Sequence, residues 1–215
     1  TGNFNGEDII DIVLEEPATA KFIARHLYSF FVTDEVQVPA WSVTPPADPE
    51  AIEMIANALV ESDYDIRTAM RVLFNSDFFK AAEFSKIKNP AEVVVGTLRL
   101  VGDAELPTPN SFEWSNQIMY MGQDLLNPPS VEGWHYGAEW VNSGALMTRT
   151  NFVAGMFSEK DRPGVRSIIA QVREGVPTPE AMVETCLDLL GPIEVSDITR
   201  VELLGHASTK GDLSW

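Results

Sequence analysis

"DPEAIEMIANALVE", residues 48–61, decides the fold. Ile52, Ile55, Ala56, Leu59 and Val60 fall at i, i+3, i+4, i+7 and i+8. That spacing gathers them on one stripe of an α-helix, whereas a strand would scatter them over both faces. The start of the helix is written locally. Asp48 offers a side-chain oxygen to the first unpaired backbone amides, and Pro49 suits the first helical position because its missing N–H is not needed there. Glu50 then lies in the first turn, where the helix dipole favours an anion.

The same grammar recurs along the chain. Asn89-Pro90-Ala91-Glu92 and Thr178-Pro179-Glu180 repeat the cap, proline and acid, and Asn89 with Glu92 has capping-box spacing. Asn5 before Glu7 and Asp8, Ser76 before Asp77, and Ser196 before Asp197 are further starts. Gly102, Gly175, Gly191 and Gly205 are the corresponding stops. Apolar stripes follow these starts: Phe22, Ile23, His26, Leu27, Phe30 and Phe31; Val165, Ile168, Ile169 and Val172; Met182, Val183, Cys186, Leu187 and Leu190. Val93 to Val101 is apolar on most sides, the pattern of a helix packed by several others. Strand-like alternation is nearly absent. The chain is predicted to be all-α, an irregular bundle of about nine or ten helices joined by long loops carrying Pro and Trp.

Three connections interrupt the helices. Residues 33–48 hold Pro39, Trp41, Pro45 and Pro46, residues 103–111 hold Pro107 and Pro109, and residues 127–142 run from Asn127-Pro128-Pro129 to Asn142. Connections of that length in a compact domain are either functional or disordered, and the aromatic residues in or beside them (Trp41, Trp114, Trp134, Tyr136, Trp140) argue for order. The charged stretch Ser158-Glu159-Lys160-Asp161-Arg162-Pro163-Gly164 marks a change of composition. It divides an expected main helical domain, residues 1–157, from a smaller helical appendage, residues 158–215, that reads as cut short at its C-terminus.

The totals exclude several classes of function. Acidic residues number 32 against 15 basic ones, a net charge of −17. A field of that sign opposes phosphate backbones and anionic membranes, which bind through Lys and Arg displacing counterions. Nucleic acid is therefore not an expected partner. Cys186 is the only cysteine, so neither an intrachain disulfide nor a zinc–thiolate cluster can form. No apolar run approaches the roughly 20 residues that cross a bilayer. The chain opens at Thr1 without an initiator Met and closes in a polar run, so it reads as a piece of something longer.

Five stretches together resemble the bacterial family known as domain of unknown function 1800. They are "GNFNGEDIIDIVLEEPATAKFIARHLYSFFV" (2–32), "SDYDIRTAMRVLFNSDFF" (62–79), "IKNPAEVVVGTLRLVG" (87–102), "MGQDLLNPPSVEGW" (121–134) and "LMTRTNFVAG" (146–155). The resemblance is strongest over residues 2–156. It implies a largely helical protein, often exported or periplasmic, of which this chain matches the C-terminal half minus its last helices. It assigns no activity and no catalytic residues.

Candidate residues come from the sequence itself. Pro128-Pro129 stiffens the third connection and Gly133 allows a turn that aims Trp134. Trp134, His135, Tyr136 and Trp140 are the candidate ligand-binding residues, an aromatic platform for a sugar ring or a partner chain. The competing reading makes Trp134 a plug in the helical core, and that is the expectation taken forward. Arg25, Arg99 and Arg149 lie within apolar helices, where a guanidinium needs a carboxylate or carbonyl partner. They are read as structural ion pairs, with Asp8, Asp65, Glu92 and Asp124 as candidate partners, in preference to a convergent anion site. His26 reads as a core histidine, and His135 as the best placed for acid–base work.

No catalytic or metal-binding constellation emerges. No second histidine lies at metal-ligand spacing, and Glu61, Asp63 and Asp65 lack the glycine and closing glutamate of a calcium loop. "ESDYD" reads as a helix end and a cap. Gly-x-Ser-x-Gly and phosphate-loop motifs are absent, and Cys186 falls on an apolar stripe. No cofactor and no metal are expected. The sequence thus points to a non-enzymatic helical scaffold or interaction domain of an exported bacterial protein, with a protein or glycan partner. The alternative is a glycan-directed hydrolase or a glycan-binding module using residues 127–142.

Overall fold

A computed structural model describes residues 2–102, 111–134, 136–174, 178–191 and 193–209. Among them the chain forms eleven α-helices: α1 Gly6–Glu15, α2 Pro17–Phe31, α3 Pro49–Glu61, α4 Ile66–Asn75, α5 Asp77–Ala81, α6 Pro90–Val101, α7 Ser111–Tyr120, α8 Ser143–Ser158, α9 Pro163–Glu174, α10 Pro179–Leu190 and α11 Asp197–Thr209. Two short 3-10 segments, Val38–Ser42 and Gly137–Trp140, lie in the first and third connections. The described residues contain no strand, only an isolated bridge between Ser130 and Gly133. The protein is all-α.

The helix starts obey their capping residues. Asn5 accepts from the amides of Glu7 and Asp8 while Asp8 returns a bond to the Asn5 amide, a complete capping box. Asp48, Asp65, Ser76 and Thr178 each accept from an amide of the first turn of α3, α4, α5 and α10. The Thr199 amide donates to Ser196 Oγ in the same way. Glu16 breaks α1 from α2 because an extended backbone is favoured immediately before Pro17. "ESDYD" ends α3 through Asp63 and Tyr64, both in the left-handed region, and Asp65 then caps α4. Gly102 and Gly191, at φ +79° and +109°, follow the ends of α6 and α10. Gly205 does not stop α11, which continues to Thr209, and Gly175 lies outside the described residues.

Two compact units are built from interleaved segments. The first comprises residues 1–90 and 122–145, the second residues 91–121 and 146–215. The chain passes between them at residues 90/91, 121/122 and 145/146, none of which coincides with the change of composition near residue 158. In the first unit the core joins Ala20, Ala24, Tyr28 and Val32 to Ile52, Ile55, Ala56 and Leu59 of α3 and to Ala69 and Leu73 of α4. Alanines at the α2 contact let two helices approach without overpacking. That choice of face has a consequence for the larger side chains. Ile23, Leu27 and Phe31 are only partly buried, and Phe22, Phe30 and His26 are exposed, so His26 is not a core histidine. On α3 the predicted stripe is buried except for Val60, which faces solvent while Ala51 and Ala58 are buried in addition.

The core of the second unit joins Val94, Leu98 and Val101 of α6 to Ile118, Met121, Met156 and Val165. Trp114, Phe152, Phe157 and Ile169 pack against it, so α9 shares a core with α6, α7 and α8. α6 is buried on one side only, because Val95, Arg99 and Leu100 are exposed. This corrects the expectation for Arg99, which reaches solvent where an enclosed ion pair was anticipated. Gly164, next to Pro163 at the start of α9, abuts the end of α6. A Cβ there would overlap the Leu100 carbonyl oxygen and lie 2.7 Å from the Val101 carbonyl carbon. α10 packs on α9 and α11, and Arg200 of α11 forms an ion pair with Glu184 of α10. Cys186, expected to pack inward, is exposed.

Candidate functional site

The first and third connections come together in the first unit, around Arg25 of α2. Arg25 is buried, and its Nη2 and Nε donate to Glu35 Oε2 at 2.6 and 3.2 Å. Its Nη1 also reaches the Thr44 carbonyl at 3.0 Å, and Nη2 the Pro45 carbonyl at 3.2 Å. Glu35 Oε1 in turn accepts from the Ala47 amide at 2.8 Å. One buried ion pair therefore ties both ends of the Pro-rich connection to α2, satisfying backbone groups that a loop cannot pair within itself. Glu35 was not among the candidate partners.

Trp41 covers this pair from the 3-10 segment. The Arg25 guanidinium carbon lies 4.5 Å from the centre of its ring, and its Nε1 donates to the Val36 carbonyl at 2.8 Å. The His26 ring centre lies 4.6 Å from that of Trp41, and Phe22 stands edge-on to both. These neighbours partly desolvate the imidazole and hold its pKa below the ordinary histidine value.

The third connection enters the same neighbourhood. α7 ends at Tyr120, so the third connection begins before Asn127. Asn127 closes a turn, its amide and side chain both donating to Asp124. A second turn follows, in which the Gly133 amide donates to the Ser130 carbonyl and Gly133 adopts φ +93°. Tyr136 then lies against the first connection. Burial raises its phenol pKa, partly offset by a backbone hydrogen bond at Val38, and the charges of Glu35 and Arg25 also reach it. At Gly137, φ +65°, a Cβ would sit 2.9 Å from the Asp34 Cβ, so only glycine allows the two connections to meet this closely. Asp34 itself accepts from the Ile87 amide and from Lys86, tying in the segment before α6.

The four aromatic-loop candidates do not share one exposed face. Trp140 is buried, Trp134 and Tyr136 are half-buried, and His135 lies outside the described residues. The Trp134 Nε1 is buried without a hydrogen-bond partner. Of the three rings placed, Trp140 is the anchor, the role expected of Trp134. The three arginines also occupy separate helices. Arg25 is paired as described, Arg99 is exposed, and Arg149 is half-buried on α8, where desolvation lowers its pKa. The cluster that sequence reasoning missed consists of Glu35, Asp34 and the surface formed by Phe22, His26 and Trp41. Glu35 follows Arg25 by ten residues across a helix end, so no periodic signal links them.

Among the described residues no group of three or more His, Cys, Asp or Glu could hold a metal ion, and no helix is long and apolar enough to cross a membrane. No curated protein and no solved structure matches the chain. The sequence profile of one family, described as "Protein of unknown function (DUF1800)", matches residues 1–213. An all-α chain, matched over nearly its whole length, belongs to the DUF1800 family.

Proposed function

We propose that this chain is a non-enzymatic interaction domain of an exported bacterial protein, and that α1 docks into a groove on another polypeptide. Export and bacterial origin rest on the family resemblance. The docking role rests on one observation. α1 has no buried residue, yet Phe4 before it and Ile9, Ile10, Ile12 and Val13 on it are between 45% and 59% exposed. A helix that adds little to its own core while presenting branched apolar side chains fits an intermolecular contact. The helix also carries Glu7, Asp8, Asp11 and Glu15 and no basic residue. Its partner groove is therefore apolar with a Lys/Arg rim, which would steer encounter and select against other surfaces. A glycan-directed role for residues 127–142 has less support, because the buried Trp140 and half-buried Trp134 and Tyr136 offer no open stacking face.

Photo-crosslinking tests this reading. A benzophenone amino acid at position 10, in the protein expressed in its own cells, is expected to give one discrete adduct. Ile9→Glu with Val13→Glu should abolish that adduct without changing the circular dichroism spectrum. A diffuse smear, or an adduct indifferent to both substitutions, would refute docking through α1.

A further inference from the structure

The second unit carries a cleft of about 560 Å³ between α7 and α8. Two helical stripes make it. Glu113, Trp114 and Gln117 come from one face of α7, and Thr148, Asn151, Phe152, Gly155 and Met156 follow helical spacing on α8. The floor is apolar, since Trp114, Phe152 and Met156 belong to the core beneath it. Its rim holds two amides and a hydroxyl, those of Gln117, Asn151 and Thr148. The Gln117 Nε2 donates to Glu113 Oε1 at 2.9 Å, which fixes the amide and leaves its carbonyl available for a ligand.

We propose that this cleft binds a neutral pyranose unit, free or at the end of a glycan. A sugar ring presents an apolar C–H face suited to an aromatic floor, and a girdle of hydroxyls that each donate and accept. Amides meet such hydroxyls in both directions, which neither a carboxylate nor a guanidinium can do alone. Charge excludes the other candidates. An anionic ligand would meet Glu113 in a chain of net charge −17, and Arg162, which also lines the cleft, has Nη2 2.9 Å from Glu159 Oε2. A wholly apolar ligand would leave the rim amides desolvated and poorly matched. The proposal concerns the second unit and a small molecule, so it stands or falls separately from docking through α1.

Gly155 supplies the decisive variant. A Cβ there meets nothing within 4 Å, so Gly155→Leu directs a side chain into the cleft while improving helix propensity. Saturation-transfer NMR is run on the whole chain with methyl glycosides of glucose, galactose, mannose and N-acetylglucosamine, with glucuronate as the charged control. At least one neutral glycoside is expected to receive saturation, mainly at its ring C–H protons. Gly155→Leu should abolish that transfer, and Asn151→Leu should weaken binding about tenfold through a lost hydrogen bond. Circular dichroism checks that both variants remain folded. Transfer to none of the glycosides, transfer to glucuronate alone, or binding that survives Gly155→Leu would each overturn the proposal.

Discussion

Glu35→Gln isolates the contribution of charge in the ion pair that holds the first connection. The side chains of Arg25 and Glu35 are only 7% and 2% exposed, so neither ion has water to fall back on. Glutamine keeps the shape and one carbonyl acceptor but removes the countercharge, leaving a buried guanidinium beneath Trp41. Breaking a buried pair in this way costs about 3–5 kcal/mol, mostly the penalty of the stranded partner. Arg25→Met should cost a similar amount, because Glu35 then retains only the Ala47 amide. The double variant Arg25→Met with Glu35→Leu strands no charge, although the Thr44 and Pro45 carbonyls lose their donor. It should therefore fall short of the sum of the single losses by at least about 2 kcal/mol. Urea titrations followed by far-ultraviolet circular dichroism give the free energies. Hydrogen exchange over residues 33–48 reports whether the connection opens first. Single variants within about 0.5 kcal/mol of the parent, or strictly additive losses, would refute the reasoning.

Three further outcomes are expected. Gly164→Ala should destabilise the second unit by about 3 kcal/mol or more, since its Cβ would collide with backbone of α6, and thermal melts will read it directly. Trp140→Ala should cost about 3–5 kcal/mol, and Trp134→Ala clearly less, so equal losses in parallel denaturant titrations would contradict the assignment of Trp140 as anchor. For His26 the folded pKa lies below the unfolded value of 6.5, so the unfolded chain binds more protons between the two. Stability is therefore full above the unfolded pKa, falls as pH drops through it and levels off below the folded pKa. Thermal melts from about pH 5 to 8 should show this slope reduced in His26→Gln.

What the sequence determined by itself is local. Asn5, Asp48, Asp65, Ser76 and Thr178 cap helices because each bonds to amides two or three residues ahead, a geometry that needs no distant partner. Helical periodicity likewise specified the fold class, and the prolines marked the long connections. Tertiary structure decided which face of each helix is buried and what meets what. Periodicity placed Phe22, His26 and Val60 on apolar stripes, yet α2 turns the face of Ala20 and Ala24 inward and α3 buries Ala51 and Ala58, leaving those larger side chains outside. Arg99 and Arg25 look alike in sequence, both inside apolar helices. One is exposed and the other buried because a connection folds back over Arg25 and brings Glu35 to it. Trp134 and Trp140 differ for the same kind of reason. Burial is a property of the neighbours that a chain acquires at long range, and hydrophobic spacing along one segment carries no information about them.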